Sequence, residues 1–130
     1  MDESVSTKID LEYAETKIVF LICDCTLHKD FSFWKLSRGQ AKKFIYRLRH
    51  VERLTWSQFS NAPRDKALTL EKPDTKSFNM IDSQNSSPEQ LIEKHYFHFR
   101  VNIGIFRVFG YQKRQYFCIT HIDRVGQIHH

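Results

Sequence analysis

The chain is predicted to fold as an α+β domain of two layers. An antiparallel sheet ending in a three-stranded meander packs against helices from the N-terminal half. Three observations predict this. The first is the last third of the chain, where Tyr96–Asn102, Ile105–Tyr111 and Tyr116–Arg124 form three runs rich in aromatic and β-branched residues. The Ile103-Gly104 pair and the polar Gln112-Lys113-Arg114-Gln115 segment read as the turns between them. The second is a helical stripe after Ser37, and the third is the apolar run Ile18–Cys23, too short for a helix.

Taken in order, residues 1–16 form a polar, acidic arm, read as a short helix or a disordered lead-in, and residues 17–130 a single domain. Lys17–Cys25 reads as the first strand, with an extension toward Phe33. Ser37-Arg-Gly-Gln40 has capping-box spacing, in which the hydroxyl and the amide satisfy backbone donors left open at a helix start. Ala41, Phe44, Leu48 and Val51 then recur at steps of three and four, giving an amphipathic helix that ends near Leu54. Thr55-Trp56-Ser57-Gln58 repeats the cap and starts a short helix. Residues 61–85, with Pro63 and Pro73, read as a long loop. Ser87-Pro88-Glu89-Gln90 opens a brief helix to about Lys94, with proline where its missing donor costs nothing. Hairpin neighbours in the terminal meander are expected to be antiparallel.

Composition excludes several classes. With 130 residues, a 41% hydrophobic share and 11 Phe, the chain can bury a core and is not a disordered segment. No apolar run has the length of a membrane span, so no membrane partner is expected. The acidic start, Asp2 and Glu3, lacks the basic region of a signal peptide, so a cytoplasmic location is expected. Cys23, Cys25 and Cys118 cannot close a disulfide set, and with His28 they lack the second ligand cluster of a structural zinc site. They read as small residues on a half-buried strand. With four glycines there is no phosphate-binding glycine loop, and no cofactor or metal is expected.

The charge is uneven. The arm holds Asp2, Glu3, Asp10, Glu12 and Glu15 against Lys8, whereas residues 35–66 hold nine bases and two acids. A basic body of this kind attracts polyanions, nucleic acid first; a solvated helix face is the plainer reading. The meander adds chemistry. Strand alternation puts Phe97, Phe99 and Val101 on one face, the natural core face, and Tyr96, His98, Arg100 and Asn102 on the other. His98 and Arg100 then stand about 7 Å apart, suited to handling a proton and gripping a phosphate. Arg107, between Phe106 and Val108, needs either a cleft or a structural ion pair, for which Asp123 is the candidate. Arg124 closes the last strand, and His129 in the tail could act as a general acid or be a bystander together with His130.

In element order, and in its Phe-Arg-Val, Ile-Phe-Arg-Val-Phe-Gly-Tyr and Ile-Thr-His-Ile-Asp-Arg segments, the chain resembles the RelE/ParE toxin superfamily. The resemblance spans residues 17–130, with motif-level matches in the last third. It implies a RelE-like fold and a toxin neutralised by a cognate antitoxin protein. It also implies an endoribonuclease that needs no metal and cleaves mRNA in the ribosomal A site through attack by a 2′-hydroxyl. The family's basic positions fall on His98, Arg100, Arg107, Arg124 and, where the family has Tyr or His, His129. His98 stands where lysine is frequent, and the acidic arm and the 61–85 loop are additions. Two other functions fit the same residues. One is a protein-binding module like the gyrase-inhibiting ParE branch. The other is an RNA-binding domain that stacks bases on Tyr96 and Tyr111.

Overall fold

The helix starts at Ser37 and Thr55 form as their capping boxes require. The computed structural model describes residues 9–63, 65–72, 75–76, 96–102 and 104–128. Helix α1 spans Arg38–Val51, with Ser37 Oγ accepting from the Gln40 amide and the Gln40 side chain accepting from the Ser37 amide. Helix α2 spans Trp56–Ser60, with Thr55 and Gln58 exchanging the same two bonds. The helix expected after Ser87 lies outside the described residues.

Among the described residues, five strands form one mixed sheet. They are β1 (Val19–Leu21), β2 (Thr69–Leu70), β3 (Tyr96–Arg100), β4 (Arg107–Lys113) and β5 (Tyr116–Asp123), in the order β1-β5-β4-β3-β2. The meander β3-β4-β5 is antiparallel as expected, and β2 adds antiparallel to β3. The expectation of a wholly antiparallel sheet is corrected at β1, which runs parallel to β5, Val19 opposite Tyr116. The α1–α2 pair intervenes between β1 and the meander, and crossovers of that length are what parallel neighbours need.

Three further expectations change. The first strand is only three residues long, because the chain turns after it: the Cys25 amide donates to Ile22 O. It then follows β5 irregularly, the Thr26 amide donating to Thr120 O and the Ile122 amide to Phe31 O. Cys23 and Cys25 therefore stand in a turn rather than on a strand. The predicted 61–85 loop contains β2. In the acidic arm, of the two readings, a short helical turn forms: Asp10 caps a 3-10 turn at Leu11–Tyr13, and Ile9 is buried in the main core.

The sheet is covered on both faces. Phe97, Phe99, Val108, Phe117, Ile119 and Ile122 pack with Phe44, Val51, Trp56 and Phe59 from the helices. On the opposite face Tyr96, Phe109, Tyr111 and Cys118 are buried by Phe31 and by Ile128 of the C-terminal tail. Tyr111 donates its hydroxyl to Asp24. Burial pushes the Cys25 and Cys118 thiols up to about 11, so both stay protonated at neutral pH. Among the described residues, no helix is long and apolar enough to cross a membrane.

The β4–β5 register slips by one residue between Phe109 and Gly110: Phe109 faces His121 while Gly110 faces Ile119. Thr120 is the extra residue, and its hydroxyl donates to Phe109 O at 3.2 Å. The bulge requires glycine beside it. A Cβ at position 110 would lie 2.3 Å from Cys118 O and 2.5 Å from a Phe117 ring carbon. Gly110→Ala should therefore cost about 1–3 kcal/mol, the range for overpacked interiors. Urea denaturation would measure it, and an unchanged midpoint would show that the β4–β5 backbone can yield there.

Candidate functional site

The bulge decides which side chains meet. Before it, Cys118 shares a face with Tyr111. After it, His121 and Asp123 share that same face with Phe109 and Arg107. The result is a rank of charges across three strands, with Arg100 opposite Arg107 and Arg107 opposite Asp123. His98 lies two residues from Arg100 on the same face, as strand alternation predicts.

His98 is 5% exposed, and its Nδ1 lies 2.6 Å from Oε1 of Glu71, itself 4% exposed. Glu71 directly follows β2, and its amide donates to Tyr96 O. This short contact pairs the imidazole with the carboxylate and fixes the orientation of the ring on β3. Arg107 is 8% exposed. Burial lowers its proton affinity most and Arg100 lowers it further, while Asp123 and Glu71 offset part of this. Asp123 is fully buried and accepts from the Gln127 amide at 3.0 Å and the Ile128 amide at 2.7 Å. One carboxylate thus faces the buried guanidinium and holds the tail down over the sheet.

Of the predicted site residues, His98, Arg100 and Arg107 come together. Arg124 stands one residue beyond β5, outside the cross-strand rank, half-buried, and its Nε has no hydrogen-bond partner among the described residues. His129 and His130 lie outside the described residues. Tyr96 and Tyr111, the two rings considered for base stacking, are 0% and 5% exposed, so neither presents the open ring face that stacking requires. Glu71 escaped the sequence reading because it fell in a predicted loop. The signal was present in Leu68-Thr69-Leu70-Glu71, where apolar and polar residues alternate as on a strand.

His121 sits on the same face, edge-on to Phe31 at 5.8 Å between ring centres, with Nδ1 2.9 Å from Thr120 Oγ1. Burial, and secondarily His28, pull its pKa down to about 4 from the usual 6.5. Between these values the unfolded chain binds a proton that the folded one refuses, so stability falls as pH drops through this window. The loss should reach about 3 kcal/mol near pH 4, and the contribution is fully present above about pH 6.5. Urea denaturation at pH 7 and pH 4.5 should show a smaller pH dependence in His121→Gln than in the parent. Equal dependence would show that His121 is not the titrating group.

No protein-family model, curated protein or solved structure matches the chain.

Proposed function

We propose that the chain is an endoribonuclease of the RelE-like toxin type, held in check by an antitoxin protein and acting on mRNA at the ribosome. The observation that carries the reading is the placement of two guanidiniums opposite each other, beside a histidine held by a buried glutamate. Like charges directly opposite on a sheet are unfavourable, and a phosphate between them relieves the repulsion. In this reading His98 takes the proton of a 2′-hydroxyl, whose oxygen attacks the adjacent phosphorus. Arg100 and Arg107 hold the non-bridging oxygens as negative charge builds. Arg124, at the end of the last strand, adds positive charge. The bond from phosphorus to the 5′-oxygen breaks and that oxygen receives a proton, the role assigned to His129. The products are a 2′,3′-cyclic phosphate and a 5′-hydroxyl end.

The test is incubation of the purified protein with free RNA and with ribosome-bound message, each with and without a chelator. The ends produced are then identified. Cyclic phosphate ends with chelator present are expected. Intact RNA in every arm, with the protein shown to be folded, would remove the enzyme reading.

One feature favours a protein-binding role instead. β1 is at the edge of the sheet, and Val19, Ile22 and Leu27, on it and just after it, are exposed. A stable complex formed through that edge, by a protein that leaves RNA intact, would be the signature of this second reading.

A further inference from the structure

A second cationic feature lies between α1 and the far end of β3. Positions 43, 46, 47 and 50 are spaced by three, one and three, so Lys43, Tyr46, Arg47 and His50 share one stripe of α1. That stripe borders two adjoining cavities of about 420 and 240 Å³, which have Arg47, His50, Val101 and Asn102 in common. Lys43 and Tyr46 line the larger; Asp65, Lys66 and Arg100 line the smaller.

Arg47 builds the wall. Its Nε donates to Arg100 O at 2.9 Å and its Nη2 to Lys66 O at 2.7 Å, and its guanidinium lies 5.8 Å from the rings of Phe59 and Phe99. It ties helix, strand and the Lys66 segment into one rigid surface. The remaining polar side chains of the lining are not consumed in this way among the described residues: Lys43, His50 and Lys66 are all exposed. Tyr46 is 62% exposed, with the Arg49 guanidinium 5.9 Å from its ring centre. Among the described residues, Asp65 is the single acid on the lining. Cations along a groove with an open aromatic ring are what a single strand of nucleic acid needs, because phosphates track the charge and a base can stack on the ring.

We propose that this cleft holds the stretch of single-stranded RNA that flanks the scissile phosphate, with phosphates on Lys43 and Lys66 and a base on Tyr46. The idea that this strand leads to a scissile phosphate rests on the proposed endoribonuclease activity; strand binding does not. Arg100 gives the connection, since it borders the cleft and faces Arg107 across the sheet.

The test uses the full chain, labelled single-stranded and duplex RNA ten nucleotides long, and a salt series. For the parent, the affinity for the single strand should fall steeply with salt. In the doubly substituted Lys43→Gln, Lys66→Gln protein the log–log slope should be shallower by about 1.4, the value for neutralising two fewer phosphates on a single strand. Tyr46→Ala should weaken binding about tenfold or more at every salt concentration. All three positions are exposed, so folding is not at stake. In cleavage assays the double variant should raise KM for the ten-mer without changing kcat or the rate on a dinucleotide. If nothing is cleaved but the slopes change as stated, the strand cleft stands and the enzyme reading falls. If RNA is cleaved but the slope and KM of the double variant match the parent, the cleft proposal is overturned. Absence of parent binding at low salt, or equal binding of duplex, also overturns it.

Discussion

Arg100→Ala should lower RNA cleavage by about a hundredfold or more, as expected for loss of one charge-stabilising donor, while the protein stays as stable as before or becomes slightly more so. Arg100 is half-buried at the end of β3 and faces Arg107 directly. Its charge is one of the causes that lower the proton affinity of Arg107. Like charges directly opposite on neighbouring strands are destabilising, and the substitution removes that cost. Its backbone carbonyl still accepts from Arg47, so the wall of the neighbouring cleft survives. The measurement pairs single-turnover cleavage with urea denaturation. An unchanged rate would exclude Arg100 from the chemistry, and a stability loss of several kcal/mol would mark it as a structural residue. Arg107 is a poorer probe, because its removal would also leave Asp123 buried opposite no cation.

Asp123→Ala should destabilise the fold by about 3–5 kcal/mol, the range for breaking a buried charge arrangement from one side. Three things are lost together. The guanidinium of Arg107 loses the carboxylate across the strand, and the amides of Gln127 and Ile128 lose their acceptor. Ile128, only 2% exposed in the core of the second face, is then no longer held against Phe109 and Tyr111. Tail release should be visible before global unfolding, as faster amide exchange at residues 127 and 128. Retained stability and slow exchange would show that apolar packing of Ile128 alone anchors the tail.

Much of the fold was legible because its signals are local. A capping box needs only residues three apart, so Ser37 with Gln40 and Thr55 with Gln58 announce α1 and α2. The meander was visible in its aromatic and β-branched runs, and alternation correctly separated Phe97 and Phe99 from His98 and Arg100. The elements that were missed lack such signals. β2 has two residues and exists as a strand because β3 offers it an edge, which is how Glu71 reaches His98. The parallel placement of β1 depends on the crossover through the helices, and its early end depends on the turn at Ile22–Cys25.

The site divides along the same line. The chain's residues name the groups that are available: the imidazole of His98 and the guanidiniums of Arg100 and Arg107. They also determine that His98 and Arg100 share a strand face, since backbone pleating requires it. Packing in three dimensions adds that Phe31 and Ile128 cover Tyr96, Phe109 and Tyr111, which closes those rings to bases. It also decides that Asp123 comes round to oppose Arg107, because one extra residue at Thr120 reverses the alternation of β5. A bulge is stabilised by the register of two strands distant in sequence and by the space that Gly110 leaves, and no short window of sequence contains both.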